Sequence, residues 1–203
     1  MTGNQGNEVI LVGSARMIPV GVSARHVHLS KEHLEVLFGP GYELTEFRKL
    51  SQPGQFAANE KVNLVGPKGR IDGVRVLGPV RSNTQVEVSL TDAYRLGVNP
   101  PVRDSGNVEN SAGLTIEGPK GSIAIEQGTI LAQRHIHFSP EDAAAFGVRD
   151  KQIVRVKVAG DRALVFDNVL CRVSPQFVTE FHIDTDEANA ALLTTGSFVE
   201  LVK

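Results

Sequence analysis

Arg25-His26-Val27-His28-Leu29-Ser30 and, 109 residues further on, Arg134-His135-Ile136-His137-Phe138-Ser139 decide how this chain is read. In each stretch a β-branched residue separates two histidines, which is the pattern of a short strand. Residues i and i+2 of a strand share a face, about 6.5–7 Å apart along the chain. His26 and His28 can therefore aim at one point, and so can His135 and His137. Ser30 and Ser139 then stand where a helix N-cap belongs, with acids following and Pro140 at the favoured first helical position. Both helices are short and end at glycines, Gly39 and Gly147. The same strand–helix unit is thus predicted twice, in two structurally related halves.

Working outward, residues 89–98 echo 139–148 more weakly, and the tetrapeptide Gly-Pro-Lys-Gly occurs at 66–69 and again at 118–121. Short β-type segments alternate with turn chemistry: 61–65, 70–77, 85–89, 114–117, 122–125, 152–158 and 163–173. Many short strands separated by frequent turns predict a mainly β (α+β) protein. Its architecture is two small β-barrel domains capped by short helices and internally repeated. The polar residues 1–7 are expected to form a frayed tail.

The chain has 203 residues, enough for one large domain or two small ones. A net charge of −2 with no Lys/Arg-rich stretch argues against nucleic acid as a partner, though not against a phosphate held by one or two arginines. Cys171 is the single cysteine, so no internal disulfide forms and an intracellular, cytoplasmic location is expected. A thiolate zinc cluster is excluded with it, and any metal must be held by His, Asp and Glu. No apolar run reaches membrane-spanning length and no signal peptide is evident.

Five of the six histidines fall in three small contexts. The fifth, His182, lies in Phe181-His182-Ile183-Asp184-Thr185-Asp186-Glu187, a strand-to-helix junction. His33 falls within the first helix and is expected on the surface. Two His-x-His copies in matching context, with no competing thiolate, point to metal binding. Glu87, an acid between two valines, either faces water or supplies an oxygen ligand. Arg81, in a polar turn before it, is either a solvated side chain or a fork for phosphate. The loop 103–107, which contains Ser105, and the segment 52–55 each suit either an anion-binding loop or an ordinary turn. Cys171, within an apolar strand, is expected to pack rather than react. His26-x-His28-x3-Glu32 and His135-x-His137-x3-Glu141 also fit the core of the cupin metal signature. Capping chemistry, however, places both glutamates in the first turn of a helix, where acids favour the dipole. A cupin-like metal-dependent enzyme or hydrolase is the alternative.

Residues 20–30, 52–58, 64–69, 77–81 with 85–89, 132–137 and 182–189 together resemble the PduL-type phosphotransacylases, the phosphate propanoyltransferases of bacterial microcompartments and their free-standing relatives. The resemblance covers nearly the whole chain from Ile18 onward. It implies two helix-capped β-barrels, 25–132 and 1–24 plus 133–203, with a site for two zinc ions between them. By position His26, His28 and Glu87 would serve one zinc, and His135, His137 and His182 the other. Arg81 would contact phosphate, with Ser105 beside it; these two are carried over as the catalytic and substrate-binding pair. The implied reaction interconverts a short-chain acyl-CoA (propanoyl-CoA or acetyl-CoA) plus phosphate with acyl phosphate plus coenzyme A. The family resemblance also implies a homodimer. Encapsulated members carry an amphipathic N-terminal helix, whereas residues 8–13 here show Gly and β-branched residues without helical periodicity. The expectation is therefore a cytoplasmic enzyme, with the microcompartment lumen and a shell or cargo partner as the alternative.

Overall fold

The computed structural model describes residues 11–12 and 15–202. Strands make up 47% and helix 16%, so the chain is mainly β, as its turn spacing predicts, in two closed six-stranded barrels with four short helices. Two compact units result: Ser23–Gln133, and the described part of Met1–Val22 together with Arg134–Lys203. Of the N-terminal segments considered above, 1–7 and most of 8–13 lie outside the described residues; Leu11–Val12 is extended.

The chain enters through β1 (Leu11–Val12) and β2 (Ala15–Ser23). The unit Ser23–Gln133 then holds β3 (His26–His28), α1 (Lys31–Phe38), β4 (Glu46–Lys49), β5 (Phe56–Val65), β6 (Arg70–Gly78) and β7 (Gln85–Glu87). It continues with α2 (Leu90–Leu96), β8 (Val102–Arg103), β9 (Ala112–Glu117) and β10 (Ser122–Ala132). Its barrel runs β5-β6-β3-β7-β10-β9 and closes from β9 back to β5. The remainder is β11 (His135–Phe138), α3 (Pro140–Phe146), β12 (Ile153–Val158), β13 (Leu164–Val173), β14 (Glu180–Asp184), α4 (Thr185–Ala191) and β15 (Phe198–Val202). With β2 these strands close the ring β2-β14-β11-β13-β12-β15.

The rings correspond strand for strand. Each His-x-His strand lies between a parallel neighbour, β6 or β13, and an antiparallel one, β7 or β14. A strand exchange accompanies this symmetry: β2 immediately precedes β3 in the chain yet closes the barrel of β11, whereas β10 immediately precedes β11 yet closes the barrel of β3. Each barrel has its own core. Val27, Leu29, Leu64, Val76 and Ile116 are buried in one, and Ile18, Ile136, Phe138, Val169 and Phe181 in the other.

The capping signals act as read. Ser30 Oγ accepts from His33 N at 3.2 Å and Ser139 Oγ from Asp142 N at 3.1 Å, while Gly39 and Gly147 end the helices with positive φ. The weaker echo at 89–98 is a capped helix too, α2, with Ser89 as N-cap and Gly97 in the left-handed region. In both copies the valine after the glycine turns back, Val98 N to Ala93 O and Val148 N to Ala143 O. By position in the barrel, however, α2 corresponds to α4 and not to α3. The echo therefore records shared helix-ending chemistry and not a shared place.

Both Gly-Pro-Lys-Gly segments are hairpin turns, closed by Gly66 N to Gly69 O and by Gly118 N to Gly121 O, each 2.9 Å. The lysine of each also donates its backbone N–H to the end of a helix: Lys68 to Leu96 O of α2, Lys120 to Leu37 O of α1, both at 3.0 Å. Expected boundaries differ in places, and the strand expected over 61–65 already begins at Phe56. The strand expected over 85–89 stops at Glu87, because Ser89 leaves the ladder to cap α2. The strand expected over 122–125 runs on to Ala132 through an irregularity between Ile125 and Thr129, where Gly128 takes φ 134°. A bulge of this kind looks like a turn in sequence. Among the described residues no helix is long and apolar enough to cross a membrane.

Candidate metal centres

In the Ser23–Gln133 barrel, antiparallel pairing sets His26 directly opposite Glu87 and His28 opposite Gln85. His26, His28 and Glu87 each offer a ligand atom within 4.8 Å of the others. His26 Nδ1 donates to Ala24 O at 2.9 Å, and its Nε2 lies 3.5 Å from Glu87 Oε2. Glu87 Oε1 accepts from Gln85 Nε2 at 2.6 Å and from Ser105 Oγ at 2.9 Å. Ser105 Oγ in turn accepts from Gln85 Nε2 at 2.9 Å and Arg81 Nη1 at 3.4 Å, and Gly106 N donates to Gln85 Oε1 at 2.8 Å. The loop 103–107 is therefore fastened to the strand that carries Glu87. Arg81 is placed by its own backbone, whose N–H reaches Leu29 O at 2.9 Å, just beyond the His-x-His strand.

The other barrel repeats the arrangement with different chemistry. His135 stands opposite His182 and His137 opposite Glu180. The three imidazoles offer ligand atoms within 4.8 Å of one another, with His137 ring-centroid distances of 4.7 Å to both His135 and His182. Arg172, on the parallel neighbour, is the register partner of His137.

The electrostatics leave lone pairs available. Burial opposes ionisation of Glu87, but His26, His28 and the Ser105 hydroxyl outweigh it and hold the carboxyl well below its usual range. Burial also opposes charging of His26, yet the Glu87 carboxylate wins and its pKa is raised. His28 is held well below 6.5 by burial, then by the charges of His26 and Arg81. Burial, followed by His135, His182 and Arg172, drives His137 down to about 2. Both shifts favour the neutral imidazole, whose lone pair is open to a cation.

Their Nδ1 atoms are buried without a hydrogen-bond partner. A buried, unpartnered polar atom costs about 1–3 kcal/mol, and a cation is the partner that would satisfy both nitrogens. Two imidazoles with a carboxylate, and three imidazoles, are donor sets that suit a zinc-like ion and leave coordination positions open. The residues fit the group.

The repeat of each hexapeptide extends to its arginine, which has a structural task. Arg25 Nε pairs with Asp92 Oδ1 at 2.8 Å and Arg134 Nε with Glu187 Oε1 at 2.5 Å. Asp92 and Glu187 are the third residues of the capping boxes of α2 and α4. His33 is not a free surface residue: it is half-buried, and its Nδ1 lies 2.7 Å from Thr84 Oγ1. The matching tie in the other barrel is Thr179 to Asp142 at 2.5 Å, so His33 anchors a helix start. In the segment 52–55, Gln52 is buried and its carbonyl closes a turn with Gln55 N at 3.2 Å. Cys171 is fully buried, and burial, with Asp150, pushes its thiol up to about 11, which leaves packing as its role. Glu32 and Glu141 are exposed in the first turns of α1 and α3, away from the cupin arrangement.

Gln85, Glu180 and Arg172 also lie at the two sets, and the local sequence marks none of them. A second internal repeat would have found the first two: Thr84-Gln85-Val86-Glu87-Val88-Ser89 matches Thr179-Glu180-Phe181-His182-Ile183-Asp184, threonine to threonine and N-cap to N-cap. Its chemical identities are too dissimilar to stand out unaided.

Comparison with known proteins agrees over most of the length. A family model described as phosphate propanoyltransferase matches residues 19–194. The phosphate propanoyltransferase of Thermotoga maritima is 62% identical over 187 residues, covering 92% of this chain and 89% of that protein. That of Priestia megaterium is 59% identical over 179 residues, covering 88% and 82%. That of Rhodopseudomonas palustris is 48% identical over 202 residues, covering 98% and 89%.

Proposed function

The chain belongs to the phosphate propanoyltransferase family, and from that premise we propose that it interconverts a short-chain acyl-CoA and inorganic phosphate with acyl phosphate and coenzyme A, with one zinc ion at each of the two ligand sets. The observation that carries the reading is the pairing, in one barrel, of a convergent His26/His28/Glu87 set with Arg81 through the shared Ser105 hydroxyl. Propanoyl-CoA and acetyl-CoA are the substrates proposed, and a homodimer the assembly.

Zinc supplies, when bound, a Lewis acid suited to a thioester carbonyl or a sulfur leaving group. Arg81 holds phosphate oxygens in its planar fork and neutralises charge that builds during attack. Ser105 orients the Arg81 guanidinium and donates to Glu87, so phosphate binding and ligand geometry are set by one hydroxyl. Gln85 fixes that hydroxyl from the other side. With Cys171 buried as a thiol, direct attack of phosphate on the thioester is favoured over a cysteine acyl-enzyme.

The test is release of coenzyme A from propanoyl-CoA and acetyl-CoA, with and without phosphate, on zinc-loaded and chelated protein. Phosphate-dependent release with acyl phosphate formed, lost on chelation, is expected. Release without phosphate would mark a thioesterase, and none from fully metal-loaded protein would overturn the reading.

A further inference from the structure

The two ligand sets differ in a way that the barrel correspondence makes measurable. On β7 and β14 the third ligand is preceded, two residues earlier on the same face, by a polar side chain that contacts it: Gln85 before Glu87, Glu180 before His182. Gln85 Nε2 donates to Glu87 Oε1 at 2.6 Å, while His182 Nε2 donates to Glu180 Oε2 at the same distance. Donor and acceptor are exchanged between barrels. An amide donor faces the carboxylate ligand, and a carboxylate acceptor faces the imidazole ligand. Each set consequently contains one carboxylate, inside the ligand trio in one barrel and just behind it in the other.

A carboxylate this buried needs a reason. Glu180 is 5% exposed, and room for it is made by Gly21 on β2 of the same barrel. A Cβ at Gly21 would lie 2.8 Å from Glu180 Cδ and 3.0 and 3.1 Å from its two oxygens. The backbone is cut back where the carboxylate sits.

We propose that Glu180 is the positioning residue of the His135/His137/His182 set, orienting His182 and giving this all-imidazole set the negative charge that Glu87 gives the other. Accepting from Nε2 puts the proton there, leaves the lone pair on Nδ1, and fixes the ring plane. Gly21 serves the same end by leaving space for the carboxylate. The inference rests on reading the three histidines as a metal set.

The test uses the full chain. Glu180→Gln keeps volume and hydrogen-bonding capacity but removes the charge, and Gly21→Ala displaces the carboxylate without altering it. Zinc affinity is measured by chelator competition, and cobalt(II) uptake by its visible absorption, on wild type and both variants after circular dichroism shows them folded. The wild type should bind two equivalents. In both variants one equivalent should weaken by about 10–100-fold, with an altered cobalt spectrum for that equivalent alone, while the other is unchanged. Should either variant fail to fold, the other carries the measurement. Both equivalents held with wild-type affinity and spectrum in Glu180→Gln would overturn this inference alone. A wild type that binds no metal at the three histidines would overturn it together with the reading it rests on.

Discussion

At the scale of single residues, the neighbourhood decides what each side chain does. Arg81, an unremarkable arginine in sequence, is joined through Ser105 to Glu87. Arg81→Ala should lower kcat/KM for phosphate by about 10²–10³-fold, as expected for loss of a preorganised charge contact, with zinc content unchanged. Arg81→Lys should recover little of it, since a point charge lacks the fork; steady-state kinetics at varied phosphate, with metal analysis, check both. The depressed histidines carry a pH prediction for metal-free protein. His137 is held at about 2 when folded and returns to about 6.5 when unfolded, so below 6.5 the unfolded chain takes up a proton that the folded one refuses. Stability should fall as pH drops from 6.5, by about 1.4 kcal/mol per unit for this group, and His28 adds the same sign. His26, whose pKa is raised, acts above 6.5, where its contribution is lost as pH rises through the folded value. Glu87, whose pKa is depressed, contributes stability that is lost only as pH falls below its ordinary 4.5. Urea unfolding of chelated protein between pH 6.5 and 5 reads the summed slope, to which the raised carboxyls of Asp184 and Glu187 add the opposite sign, and His137→Asn should remove about one proton from it.

At the scale of elements, the caps and turns were open to reading because their chemistry is local. Serine before a first helical turn and glycine after a last one act through backbone atoms a few residues away, and α1, α2 and α3 begin and end accordingly. The twin Gly-Pro-Lys-Gly turns were visible as a repeat, but their second task was not, since it depends on helices that end elsewhere in the chain. Gly66 and Gly118 must lack a side chain: a Cβ would stand 2.2 Å from Leu96 O and 2.5 Å from Leu37 O. Gly66→Ala and Gly118→Ala should each destabilise by about 2–4 kcal/mol, by forcing the turn off the helix end it caps. The urea midpoint reads this. A shift under about 0.5 kcal/mol would mean that the turn relaxes freely. The strand β10 looks short in sequence for the complementary reason: a glycine bulge imitates a turn, and only pairing with β9 on both sides of it reveals one strand.

At the scale of the whole molecule, each ligand set draws all its residues from one barrel. His182→Ala should therefore lower zinc from two equivalents to about one and leave the His26/His28/Glu87 equivalent in place; Glu87→Ala should do the converse. Metal analysis after exhaustive dialysis distinguishes this from loss of both, which would tie the sets together. The sequence by itself determined the class of fold, the twofold repeat and the pairing of histidines on strands, because strand period, capping and turn preference are properties of neighbouring residues. Only the tertiary structure decided that Glu87 faces His26 and that His182 faces His135, since register across antiparallel strands is a long-range choice. It alone decided, too, that β2 and β10 close the barrels of each other's following strand, and that Glu180 and Gln85 stand in matching places with opposite hydrogen-bonding sense. A carboxylate and an amide at equivalent positions share no chemical signature; what they share is a place in a closed ring of strands.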